Sequence, residues 1–215
     1  MRKIRLGLLL ASCGLAACGF AQTVTLDAFQ NGKAVGNVQF TRSIQGGIQT
    51  NITKITSIQN GTSTVLVMTA VFDPSGTPLS KGLEVHQGGQ NATLKAILSK
   101  GSAHVAIDAG GKKATRDLPT KTATSITDPS IWWFVKTAPK PGASVKYQSL
   151  NLTNMTWEDI ESIYGGKKAV KVGAKTVTAH QVTQKRQNGT STIYVDDKGM
   201  PVLIEQPTIR FVRRP

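Results

Sequence analysis

The residues from Ile48 to Phe72, IQTNITKITSIQNGTSTVLVMTAVF, carry the strongest structural signal in this chain. Four isoleucines recur in the first half among Thr, Asn, Lys and Ser: Ile48, Ile52, Ile55 and Ile58. This mixture is typical of a strand with one buried face. After Asn60-Gly61, a dipeptide favoured in tight hairpins, residues 65–72 are apolar on both faces, which indicates a buried strand. The stretch therefore predicts an antiparallel hairpin.

The same turn signal recurs outward in both directions along the chain. Further glycine-containing pairs separate runs rich in β-branched residues: Asn31-Gly32, Gly46-Gly47, Gly88-Gly89, Gly110-Gly111 and Asn188-Gly189. Consecutive strands joined by short hairpins form an antiparallel meander. The pattern predicts a mostly β protein of about ten strands in one large curved antiparallel sheet, within a single domain over residues 22–215.

The alternation is lost once, between residues 121 and 141. Asp128 followed by Pro129 is a helix start, with Asp128 as N-cap. Pro139 and Pro141 end the segment. We predict one short helix near residues 129–137, wrapped partly by the sheet. Residues 157–164 are either a second helix, capped by Thr156, or a strand.

Three segments carry a family resemblance. They are residues 27–36 with their Asn-Gly turn, residues 173–182, and the hairpin IYVDDKGMPV at 193–202. Together they resemble bacterial secreted and lipoprotein families of unknown function that share the half-barrel of lipoprotein-carrier proteins. The resemblance implies an open antiparallel half-barrel that wraps a helix and holds an acyl chain. It supplies no catalytic residues.

The N-terminus is typical of an export signal. Arg2, Lys3 and Arg5 precede an uncharged apolar run, residues 6–17. This is the layout of a secretory signal, and the run is shorter than the roughly 20 residues that span a bilayer. We expect an extracytoplasmic protein, periplasmic or on the outer surface, with residues 1–21 as the export signal.

Two cleavage sites are compatible with this signal. Leu15-Ala16-Ala17-Cys18 resembles the bacterial lipobox, in which Cys18 becomes the lipid-modified first residue and anchors the chain to a membrane. The alternative is an ordinary cut before Gln22, which releases a secreted protein. Both cysteines of the chain, Cys13 and Cys18, precede Gln22, so the domain has no disulfide to stabilise it.

The chain is strongly basic. It has 26 Lys and Arg against 12 Asp and Glu, a formal net charge of +14. Such an excess favours anionic partners, although it is also compatible with a merely solvated surface. Six cations are candidates for binding an acidic envelope component: Lys167, Lys168, Lys171, Arg210, Arg213 and Arg214. Export and the scarcity of aromatic residues for base stacking argue against nucleic acid as the partner.

No motif for catalysis stands out. The three histidines, His86, His104 and His180, are isolated in strand-like segments, without metal-ligand spacing. There is no nucleophile elbow and no phosphate-binding loop. We therefore predict no catalytic residues, no metal and no cofactor, and expect a protein that is not an enzyme.

The aromatic residues suggest where a ligand could lie. Candidate apolar contacts are Trp132, Trp133, Phe134 and Trp157. They are compatible with plain core packing, with the wall of an apolar cavity, or with a membrane interface. Our leading hypothesis is a non-enzymatic cell-envelope protein that binds an apolar or amphipathic, lipid-like ligand. The alternative is a structural or interaction subunit that docks through its basic surface onto an acidic polymer or a larger assembly.

Overall fold

The computed structural model describes residues 20–59, 61–120 and 133–215. Most of the predicted export signal (residues 1–19, which include Cys18), Trp132 and the first part of the predicted helix lie outside these residues. The described ranges contain fourteen strands and one short helix: β1 Phe20–Gln30, β2 Lys33–Gln45, β3 Ile48–Gln59, β4 Thr62–Phe72, β5 Pro78–Gln87, β6 Gln90–Ser99, β7 Ser102–Ala109, β8 Lys112–Pro119, α1 Trp133–Thr137, β9 Ser144–Asn151, β10 Thr156–Val172, β11 Lys175–Arg186, β12 Gly189–Val195, β13 Pro201–Glu205 and β14 Arg210–Arg213.

All fourteen strands belong to one antiparallel sheet, which confirms the predicted fold class. Their order is β8-β7-β6-β5-β4-β3-β2-β1-β14-β13-β12-β11-β10-β9. The predicted count of about ten was too low, because some two-residue turns are neither Asn-Gly nor Gly-Gly. Lys100-Gly101 joins Ser99 to its partner Ser102, and Gly173-Ala174 joins β10 to β11.

The helical alternative for residues 157–164 was wrong. These residues lie in β10, which pairs with β9 on one side and with β11 on the other. Buried and more exposed positions alternate along most of this segment, from Trp157 to Gly166. Strand pairing outweighs the local capping signal at Thr156, because a short isolated helix is marginal in water, whereas the sheet adds cross-strand side-chain contacts to the backbone hydrogen bonds.

The sheet is rolled so that its two ends overlap. We define its inner face as the one that carries Phe40 and Met68. One buried cluster joins inner-face residues of β5–β7 to side chains of the other end: Leu83, Ala96, Leu98, Ala103, Val105, Leu150, Leu152 and Trp157. The indole Nε1 of Trp157 donates to the Leu118 carbonyl of β8 at 3.0 Å. Trp157 and Ile160 point to opposite faces and both are buried. The β9–β10 end is therefore enclosed on both sides.

Helix α1 packs against the same sheet through Phe134, which is fully buried. Its ring stacks on Tyr164 with centroids 5.1 Å apart, and it contacts Val182 and Val195. The described part of the predicted helix is confirmed over residues 133–137. No helix of the described residues is long and apolar enough to cross a membrane.

Candidate ligand-binding cavity

A cavity of about 490 Å³ lies within the rolled sheet. Strands β2–β5 form one wall and β9–β11 form the opposite wall, while Met200 and Pro201 contribute from the start of β13 and the turn before it. Its volume falls in the range of roughly 300–1,000 Å³ that small-molecule sites occupy. A second cavity of about 700 Å³ shares Phe40, Thr53 and Met68 with the first and extends to Ile204 and Phe211. The two cavities follow one continuous stretch of the inner face.

The strand register sorts the inner face into rows of different chemistry. One row, which we call the basic row, consists of Arg42, Asn51, Ala70 and Lys81. Two neighbouring rows, which we call the apolar rows, consist of Phe40, Thr53, Met68 and Leu83 and of Val38, Ile55, Leu66 and Val85. The rows follow from alternation, because every second residue of a strand points to the same face.

Arg42 is a partly buried cation of the basic row. Its guanidinium donates to Gln22 Oε1 at 3.2 Å and to the Lys198 carbonyl. Burial lowers the pKa of Arg42 below its usual range, and the carboxylate of Asp196 partly opposes this shift. Lys81 lies in the same row and donates to Ser149 Oγ at 2.5 Å and to the Leu150 carbonyl.

The opposite wall carries the cavity's acidic group. Asn151 Nδ2 donates to Glu158 Oε1 at 2.7 Å, and Arg186 approaches Glu158 at 3.8 Å. Of the described residues that line the 490 Å³ cavity, three are cationic (Arg42, Lys81 and Arg186) and only Glu158 is anionic. The cavity therefore combines an apolar wall with a net positive charge. Such a surface suits an amphipathic molecule.

The predicted aromatic contacts occupy other places. Phe134 packs in the core around Tyr164, and Trp133 packs beside it. Trp157 lies in the overlap of the two sheet ends. None of the three is among the described residues that line the two cavities. Trp133 has a further feature: its indole Nε1 is buried and has no hydrogen-bond partner among the described residues.

Most of the predicted anion-binding cations pair within the chain. Lys167 binds Asp197 at 2.7 Å, Arg210 approaches Glu205 at 3.6 Å, Arg213 binds Asp196 at 2.9 Å and Arg214 binds Asp27 at 2.6 Å. The hydrogen bond to Asp27 raises the pKa of Arg214. Lys168 and Lys171 are exposed and form no ion pair with the described residues. The structure thus separates the six cations into four paired and two solvated groups.

A chain of polar contacts links the core behind α1 to solvent. The Tyr164 hydroxyl lies 2.9 Å from His180 Nδ1, and His180 Nε2 lies 2.9 Å from Asp197 Oδ1. Hydrogen bonds from Lys167 and then from His180 lower the pKa of Asp197. His180 is buried and satisfied at both ring nitrogens, so its geometry is that of a structural residue. Within the described ranges, no group of three or more His, Cys, Asp or Glu side chains could hold a metal ion.

Sequence reasoning missed the cavity cations. Arg42, Lys81 and Arg186 are far apart in the sequence, lie in strand segments and form no motif. The one usable signal was position. Arg42 shares the parity of Val38 and Phe40, which places it on the face that the apolar residues mark as buried.

The comparisons with known proteins support the fold. The chain matches no family model and no curated protein sequence. It is similar to a solved β-barrel-like protein of the domain of unknown function DUF1849 from Brucella abortus. That match has a TM-score of 0.60 and 10% identity, over 89% of this chain and 94% of the other. It also matches a DUF1089 family protein from Pseudomonas aeruginosa at a TM-score of 0.38 and 10% identity, over 96% and 97% of the two chains. The match to the DUF1849 protein shows that the chain has a β-barrel-like fold.

Proposed function

We propose that this chain is a non-enzymatic cell-envelope protein that binds an apolar or amphipathic, lipid-like ligand inside its rolled sheet. The observation that carries the proposal is the pair of adjoining cavities along the apolar rows. Burial of apolar ligand surface there contributes about 25 cal/mol per Å² removed from water. The resemblance to lipoprotein-carrier half-barrels, in which an acyl chain is held by an open sheet, supports the same assignment.

Met68 offers a direct test, because it lines both cavities and is 37% exposed. Met68→Glu places a carboxylate on the apolar rows without emptying a packed core. We expect it to weaken binding of an uncharged apolar dye such as Nile red at least tenfold, since a charge in the cavity must be desolvated. Ile97→Glu is the matched control. Ile97 is 66% exposed and lines neither cavity.

The outcomes of this titration are distinct. Binding of the dye by the parent and by Ile97→Glu, but not by Met68→Glu, supports the proposal. A parent protein that neither binds the dye nor releases any lipid on organic extraction contradicts it. Equal binding by all three proteins would place the apolar site elsewhere and would also contradict it.

We further propose that Cys18 carries a lipid anchor and that the protein works at a membrane surface. The start of the sheet supports this choice of cleavage site. Phe20 pairs with Ile44 and Ala21 pairs with Ser43. A cut before Gln22 would remove both pairs, whereas a cut before Cys18 retains the whole of β1. Mass spectrometry of the mature N-terminus tests the proposal, and an unmodified chain that starts at Gln22 refutes it.

The alternative, docking by a basic surface, has less support. Four of the six predicted cations already form ion pairs with carboxylates of the chain, so only Lys168 and Lys171 have no ion pair with the described residues. Charge-driven docking would weaken steeply in salt, because exposed charges are screened beyond about 10 Å at 0.1 M. Binding of an apolar ligand would change little over the same range.

A further inference from the structure

The side chains that line the cavity change from basic to apolar along its length. The basic row borders the row of Phe40, Met68 and Leu83, and both rows line the same 490 Å³ space. A molecule that follows the inner face would lay its apolar part on Phe40 and Met68. Its other end would then reach Arg42 and Lys81. This arrangement would fix the orientation of an amphipathic ligand, with its tail on the apolar row and its head at the basic row. A uniformly apolar cavity would not fix the orientation.

Arg42 gives the basic end of the cavity a group that can bind an anion. A guanidinium has five N–H donors, and the bonds to Gln22 and to the Lys198 carbonyl are to neutral oxygens. The nearby Asp196 forms its ion pair with Arg213, at 2.9 Å. No carboxylate of the described residues lies within ion-pair distance of Arg42. A partly buried cation with only neutral partners is costly, and an anion that reaches it is bound more strongly than in water.

We propose that the ligand is an amphiphile with an acidic headgroup, and that Arg42 binds this headgroup. This inference rests on the proposed function, since it assigns the polar end of the same cavity. The 490 Å³ cavity contains Arg42, and the adjoining 700 Å³ cavity continues along the apolar rows, so both ends of an amphiphile have a place on the inner face. A carboxylate and a phosphate monoester both fit the donor fork of an arginine, so the shared chemistry is an oxyanion on an alkyl chain.

The test compares four ligands with the same alkyl chain, each below its micelle-forming concentration. They are dodecanoate, dodecyl phosphate, dodecanol and dodecylamine, titrated by calorimetry into the parent protein, Arg42→Gln and Lys54→Gln. Lys54 is the matched control: it is exposed and lies between Thr53 and Ile55, which line the larger cavity. Its side chain therefore points to the outer face.

We expect the parent to bind at least one of the two anions tenfold or more tighter than dodecanol or dodecylamine. The anion that binds tighter identifies the headgroup. Arg42→Gln should reduce anion affinity on the order of tenfold to a hundredfold, as expected for a lost hydrogen bond between charged groups. It should leave dodecanol binding within about twofold, and Lys54→Gln should behave as the parent.

The possible failures separate the two proposals. If dodecanol binds as tightly as both anions, the headgroup inference is overturned and the apolar site stands. If none of the four ligands binds, the proposed function itself fails. Should Arg42→Gln not fold, the ligand series on the parent decides, together with Arg42→Lys, which retains the charge. An anion preference that Arg42→Lys loses entirely would contradict recognition by charge.

Discussion

The overlap of the two sheet ends can be tested with one substitution made at two sites. Trp157→Phe and Trp133→Phe each replace an indole by a phenyl ring. In Trp157 the indole N–H donates to the Leu118 carbonyl at 3.0 Å, and the side chain is only 7% exposed. In Trp133 the N–H is buried and has no acceptor among the described residues. The same chemical change should therefore destabilise the protein at Trp157 but not at Trp133.

The magnitudes follow from these contacts. Trp157→Phe loses a hydrogen bond worth about 0.5–1.5 kcal/mol and leaves a small cavity, so we expect a loss of about 2 kcal/mol in the free energy of unfolding. For a domain of this size that corresponds to roughly 4–8 °C in Tm. Trp133→Phe removes a buried donor that has no acceptor among the described residues, and burial of an unsatisfied donor costs about 1–3 kcal/mol. That gain offsets the lost packing, and we expect a change within about 0.5 kcal/mol of zero.

Urea denaturation followed by far-ultraviolet circular dichroism measures both variants without depending on tryptophan fluorescence. Trp157→Ala, expected to cost about 3–5 kcal/mol, calibrates the packing of the ring. The reasoning is refuted if Trp157→Phe is as stable as the parent, or if it is no less stable than Trp133→Phe. Either result would mean that the bond between β10 and β8 does not help to hold the sheet closed.

Two further predictions concern the sheet itself. A Cβ on Gly36 would lie 2.1 Å from the Thr56 carbonyl oxygen, so Gly36→Ala should lower the free energy of unfolding by about 3 kcal/mol or more, as measured by urea denaturation. Gly82→Ala is the control and should be tolerated, because its Cβ would meet only an ordinary contact at 3.6 Å. Hydrogen bonds from Ser75 and Thr77 lower the pKa of Asp73 in the folded protein. The ionised Asp73 therefore stabilises the fold fully above its pKa in the unfolded chain, about 3.9, and this stabilisation is lost as the pH falls through the lower pKa of the folded state. The Tm difference between the parent and Asp73→Asn should therefore shrink on acidification below about pH 3.9, and a constant difference would contradict the assignment.

Much of the sheet could be predicted because its hairpins are encoded locally. Asn31 and Gly32 adopt φ angles of 50° and 76°, as a two-residue hairpin turn requires. The flanking residues Gln30 and Lys33 pair with each other and begin the ladder between β1 and β2. Signals of this kind depend only on residues that are adjacent in the sequence, so they can be recognised without knowledge of the tertiary structure. The segment at Thr156 misled for the same reason: its capping pattern is local, whereas the pairing that decided it is not.

The cavity could not be predicted in this way, because its chemistry depends on non-local register. Arg42 and Lys81 are 39 positions apart in the sequence and belong to one row only because three successive ladders align them through Asn51 and Ala70. A shift of one residue in any of these ladders would turn the following side chains to the outer face. The aromatic residues that composition made prominent pack instead where the sheet closes on α1 and on itself.

This division of roles has a physical basis. Large aromatic side chains provide the most buried area per residue, and they stabilise most where the sheet must be closed without backbone pairing. Trp157 and Phe134 lie at two such places, the overlap of the sheet ends and the contact with α1. Neither of these two residues lines the two cavities, whose wall includes the flexible side chain of Met68. Under the proposed function, substitutions at Trp157 and at Met68 should therefore separate loss of stability from loss of ligand.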